Sequence, residues 1–235
     1  EEKFSDPGNN SYAKATILQR QTNAEPALVI TYRDSRGIED YYTYQTQSVG
    51  SAGTGYVGDY TSQLTFVVND VSYSSTAMSF SLNHVYNSVH RDSYFTTTNQ
   101  LHTKQYQNML VSKGWKLSVQ ETVVTTEIAN MGNEETYLVY NDADGTEHYF
   151  KYDSDSGEYK DEDGLNLTIT ESGNNFTMKD DKDNEKYFVN GYLTWIKDAN
   201  GNAVYILYNG GAYSATNPSA WYPADSSSNK VTQIV

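Results

Sequence analysis

Three short acidic runs hold the residues best placed for chemistry in this chain: Asp142-Ala143-Asp144-Gly145, Asp153-Ser154-Asp155-Ser156-Gly157 and Asp161-Glu162-Asp163-Gly164. Closely spaced carboxylates on a tight turn present several hard oxygens to one ion, which makes Asp142, Asp144, Asp161 and Asp163 candidate Ca²⁺ ligands. None of the runs completes the D-x-[DN]-x-[DN]-G-x₅-E loop spacing. Asp and Gly are also what hairpin turns use, since Asp hydrogen-bonds the backbone ahead of it and Gly accepts left-handed geometry. The turn explanation is the stronger, and no cofactor other than Ca²⁺ is expected.

Tyr41, Tyr42 and Tyr44 offer aromatic faces among polar neighbours, the kind of surface on which sugar rings stack, and are candidate glycan-binding residues. Because the 22 tyrosines recur along the whole chain instead of clustering, packing accounts for most of them. His84, on the face of Phe80 and Leu82, and His148, beside Tyr149, fit hydrogen-bonded core or boundary positions better than ligand positions. His90 and His102 have no Asp or Ser partner at useful spacing, so no triad can be assembled. Glycoside hydrolysis needs two acids across a cleft, and with 30 Asp and Glu accidental pairs are inevitable. Glu121 is the sharpest candidate because it interrupts the apolar row Trp115, Leu117, Val119, Val123, and a bent strand end explains it best. No catalytic residue is assigned.

The elements that position these residues are strands. The 235 residues suffice for one good core or two small ones, and the absence of cysteine excludes a disulfide framework and thiolate metal sites. Abundant Tyr, Thr, Asn and Ser without long helical runs predict an all-β, mostly antiparallel protein of successive β-hairpins. At most one short helix is expected, over residues 94–110. The net charge of −14 argues against nucleic acid as a partner. Most of it is local, with 16 Asp and Glu against 5 Lys and Arg between Glu134 and Asn190. No apolar stretch approaches the roughly 20 residues of a membrane helix, so no membrane span is expected.

Along the chain, residues 1–26 read as a leader, and Ala27–Tyr32 as a strand answered by Tyr41–Tyr44 across a turn at Asp34–Gly37. The four glycines of Gly50–Gly58 mark a connection and a domain boundary. Leu64, Phe66 and Val68 alternate with polar residues, as do Met78, Phe80 and Leu82, and the two strands are expected to pair. From Tyr137 the pattern repeats: Tyr137–Phe150, Phe176–Phe188 and Gly191–Asn209 each place an Asp-led turn between two apolar strands. The organisation expected is a preceding β-module or leader strands over 1–50, a central antiparallel sheet over 51–130 and hairpin repeats over 131–235. The first residues, Glu1-Glu2-Lys3, and a last strand begun at Lys230 lead us to expect a piece of a longer polypeptide.

The Gly191–Asn209 hairpin, with spacing G-x-L-T-x-I-x-D-x-x-G-N-x-x-x-Y-x-Y, resembles the YD repeat of the bacterial RHS family, large surface and secreted proteins that wind hairpins into a β-shell. Four further segments are similar to wall-associated members of that family, in the same order. They are Gly53–Leu64 (GTGYVGDYTSQL), Asn83–Ser88 (NHVYNS), Gly114–Leu117 (GWKL, with Lys116 in place of the usual Arg) and Tyr140–Phe150 (YNDADGTEHYF). Residues 27–45 resemble the last strands of the DNRLRE-type β-domain that often precedes this region. The resemblance implies a non-enzymatic structural segment at the beginning of a β-shell, extracellular or cell-wall associated. Its partners would be the remainder of its own polypeptide and cell-wall or host glycans. A carbohydrate-binding surface module is the alternative, and a glycoside hydrolase or other hydrolase fragment the third reading.

Overall fold

The computed structural model describes residues 12–17, 28–33, 37–90, 111–130, 133–162, 164–214, 216, 222–223 and 229–235. The chain forms two compact units, Glu1–Ser35 and Arg36–Val235. Both are built from antiparallel strands, with two short 3₁₀ turns and no α-helix among the described residues. The helix expected over 94–110 lies outside those residues. No helix among the described residues is long and apolar enough to cross a membrane.

In the first unit β1 (Tyr12–Ile17) and β2 (Leu28–Arg33) form a hairpin, in register from Tyr12 opposite Arg33 to Ile17 opposite Leu28. The expected pairing of this second strand with Tyr41–Tyr44 is corrected, because β2 takes its partner from the stretch read as a leader. Six residues in polar surroundings are too few for the periodicity of β1 to stand out.

The second unit opens with a five-stranded antiparallel sheet in chain order: β3 (Tyr44–Ser48), β4 (Thr54–Gly58), β5 (Leu64–Tyr73), β6 (Phe80–Asn87) and β7 (Trp115–Leu117). β5 and β6 pair as their alternation predicts, with a bulge between Asn69 and Val71. The glycine-rich stretch expected to be a connection is a 3₁₀ turn followed by β4 itself. Two of its glycines, Gly53 and Gly55, serve close approach to β5. At Gly53, φ is +124° and an added Cβ would meet the Val67 carbonyl oxygen at 2.5 Å.

The hairpin series follows: β8 (Thr122–Asn130), β9 (Asn133–Asn141), β10 (Glu147–Asp153), β11 (Glu158–Asp161), β12 (Thr168–Ser172), β13 (Asn175–Lys179), β14 (Glu185–Val189) and β15 (Tyr192–Lys197). Each pairs antiparallel with the next, and Thr122 of β8 lies opposite Tyr192 of β15, closing an eight-stranded antiparallel barrel. At the closure the Val123 N–H donates to the Gly191 carbonyl (2.8 Å) and the Leu193 N–H to the Glu121 carbonyl (3.1 Å). The remaining length of β15 pairs with β16 (Ala203–Tyr208), which pairs in turn with β17 (Val231–Ile234). Every second side chain enters the core, where Val123, Leu138, Phe150, Ile169, Phe188 and Leu193 are fully buried.

The repeat read from the sequence has a common turn geometry. One carboxylate oxygen of Asp142 accepts the N–H groups of Asp144 and Thr146; that of Asp180 accepts those of Lys182 and Asn184; that of Asp198 accepts those of Asn200 and Asn202. In the last two turns the Asn four residues on also donates its side-chain amide to the second carboxylate oxygen, at 2.7 Å in each case. In the first turn that position is Thr146. The second oxygen of Asp142 is left to other partners, and this difference begins the candidate site.

Candidate functional site

The β9–β10 turn, Asp142 to Thr146, is where the five-stranded sheet and the chain before it meet the barrel. The Asn87 amide at the end of β6 donates to the Asp144 carbonyl (3.3 Å), and the Nε2 of His90 lies 3.0 Å from the Gly145 carbonyl oxygen. From β7 the fully buried Lys116 donates its ammonium to the Asp142 carbonyl. Residues ahead of β3 close over the turn as well: the Ile38 N–H donates to Asp144 Oδ2 (2.8 Å), while Asp144 Oδ1 accepts the N–H and hydroxyl of Thr146 (3.0 and 2.6 Å). Gly37 lies so close that an added Cβ would overlap Thr146 Oγ1 and Asp144 Oδ1. Gly37→Ala is therefore expected to cost about 1–3 kcal/mol by overpacking, read from urea unfolding at unchanged m.

The freed oxygen of Asp142 faces His148, whose Nε2 lies 3.3 Å from it and 3.6 Å from a Glu39 carboxylate oxygen. His148 is 3 % and Glu39 6 % exposed, so both sit largely out of water beside the partly exposed Asp142 carboxylate. Behind them the His148 ring stacks on Tyr140 at 5.7 Å. The Tyr140 hydroxyl donates to Glu121 (2.6 Å) and accepts from Lys186 (2.8 Å), which also donates to both Glu121 oxygens at 2.7 and 3.0 Å. Burial by itself would raise the Asp142 carboxyl; the hydrogen bond from His148, that residue's charge and the Lys116 ammonium outweigh it and hold Asp142 well below the usual range. Burial and then the Asp142 charge push the neighbouring Asp144 the other way, up to about 8. Burial also lowers Lys116, against the pull of Asp142 and Glu121, and raises the Tyr140 phenol together with the Glu121 charge.

A cavity of about 400 Å³ opens in front of this network. Its lining includes the polar groups of Glu39, Asp142 and His148 and the apolar side chains of Ile38, Leu165 and Leu167. Asp161 fixes the Leu165–Leu167 stretch by accepting the Leu165 and Leu167 N–H groups at 2.7 and 3.0 Å. Tyr41 stands beside it with 55 % of its surface exposed. No Ser, Thr or Cys nucleophile lines the cavity among the described residues. What the arrangement offers is a histidine between two carboxylates for hydrogen bonding or proton exchange.

Of the residues singled out from the sequence, Asp142 and Asp144 share one turn, Asp142 lines the cavity and Asp161 braces it; Asp163 lies outside the described residues. Among the described residues no three His, Cys, Asp or Glu side chains are grouped to hold a metal ion. Tyr44 is tied to the backbone, its hydroxyl donating to the Gly37 carbonyl (2.9 Å) and accepting the Glu39 N–H (2.8 Å). Tyr42 lies against Tyr41, ring centres 4.8 Å apart. Glu121 was legible as an oddity and His148 as a hydrogen-bonded core or boundary residue; Glu39, Lys116 and Lys186 were not. One usable signal for His148 was Thr146 standing where the other two turns have Asn. Comparison with protein-family models, with curated proteins and with solved structures found no match to this chain.

Proposed function

We propose that the chain is a non-enzymatic structural segment of a large bacterial RHS-like surface or secreted protein, acting outside the cell or at its wall as the beginning of a β-shell. The observation that carries this reading is how the buried polar groups are used. Asp142, Asp144, Lys116, Asn87 and His90 all bond to backbone atoms that join one strand or sheet to the next. Such groups stabilise a winding of hairpins and leave little freedom for the proton transfers of a catalytic cycle. The resemblance of the ordered motifs supports the family, and the continuous ladder from β8 to β17 supplies the winding.

The purified chain is expected to turn over no chromogenic glycoside, ester or peptide. Turnover abolished by His148→Gln with the melting temperature retained would overturn the non-enzymatic reading. Electron micrographs of the parent polypeptide should show a hollow closed shell, and a string of separate small domains would remove the family assignment.

A further inference from the structure

We propose that the cavity between the 37–41 segment and the loop joining β11 to β12 binds one neutral pyranose sugar residue. A volume of about 400 Å³ lies within the range of small-ligand sites. Its lining combines the apolar side chains of Ile38, Leu165 and Leu167 with the polar groups of Glu39, Asp142 and His148. A pyranose likewise combines C–H faces with hydroxyl edges. The exposed ring of Tyr41, held by Tyr42, supplies the aromatic face against which a sugar packs. Because Asp161 pins the Leu165–Leu167 stretch through two backbone N–H groups, little ordering remains to be done there on binding.

Charge decides between a sugar and other polar ligands. An anion would meet Glu39, Asp40 and Asp142 together. A purely apolar ligand would strip water from the Glu39 and Asp142 carboxylates and return no hydrogen bond. An organic cation would have to compete with partners these carboxylates already have: His148 Nε2 lies 3.3 Å from Asp142 and 3.6 Å from Glu39, and the Lys116 ammonium is bonded to the Asp142 carbonyl. The lining is rich in acceptors, which suits hydroxyl donors.

The test is a titration of the whole chain with methyl glycosides of common hexoses and N-acetylhexosamines, with butylammonium as the cationic control, followed by NMR of the His148 ring and backbone amides. Saturable shifts at His148, Leu165 and Tyr41 with at least one glycoside are expected, and none with butylammonium. Tyr41→Ala, at an exposed position, should weaken binding about tenfold, and Leu165→Trp, which fills the cavity, should abolish it. The proposal is overturned if no glycoside saturates, if butylammonium binds in their place, or if Tyr41→Ala binds as tightly as the unchanged chain. Should Leu165→Trp fail to fold, Tyr41→Ala decides.

Discussion

Replacing Lys116 with Met should lower the unfolding free energy by about 3–5 kcal/mol. Lys116 is fully buried on β7, and its ammonium reaches the Asp142 carbonyl with Asp142 and Glu121 as the surrounding charges. Met reproduces most of the aliphatic stem, so the loss reports the charge and its hydrogen bond more than packing. Removing the cation leaves Asp142 with one counter-charge fewer in a site where water cannot replace it. Lys186→Met is the comparison: its side chain is 30 % exposed, water can partly solvate the Glu121 it leaves, and its cost should be the smaller. Urea denaturation at constant m measures both. A loss below about 1 kcal/mol for Lys116→Met would show that Lys116 is not the joint between β7 and the barrel that its bond to Asp142 implies.

The second large effect is a dependence of stability on pH with opposite signs at two adjacent carboxyls. Asp144 has its folded value raised from 3.8 to about 8. A raised carboxyl binds its proton more tightly in the folded state, so its contribution is fully present below 3.8 and is lost as pH rises toward 8. Within that window the folded chain holds one proton more than the unfolded chain, and stability falls by about 1.4 kcal/mol per pH unit through this group alone. Asp142 is depressed, so its contribution is present above 3.8 and is lost on acidification below it. Asp144→Asn keeps the side chain's size and removes the titration. The variant should start less stable, because one acceptor for the Ile38 N–H or for Thr146 is lost, while its stability should decline less between pH 4 and 8. The difference between the two curves reports the proton held by Asp144 together with its effect on the adjacent Asp142. Identical slopes for the two proteins would show that Asp144 is ionised throughout the window.

Much of the barrel was legible before any coordinates. Leu138 and Tyr140, Phe176 and Met178, and Phe188 occupy positions where alternation places core residues, and all are buried. The three Asp-led turns were readable because an Asp side chain bonds N–H groups two and four residues ahead, a local interaction independent of the rest of the chain. β1 was missed because it is short, and β4 because its glycines signal a connection when the reason for Gly53 and Gly55, contact with residues such as Phe66, lies in another strand. The candidate site was mostly hidden for the same reason. Glu39 and His148 are 109 positions apart, Glu121 and Lys186 65 apart, and nothing in either neighbourhood marks the partner.

The sequence by itself determined what local physics can determine: strands from alternation, turns from Asp and Gly, an acidic surface from composition. Tertiary structure alone decided which strands close the barrel, that Asp142 faces His148 and Asp144 faces Ile38, and that two neighbouring carboxyls titrate in opposite directions. Those outcomes depend on burial and on charges brought together from distant positions, and neither is a property of any short stretch of chain.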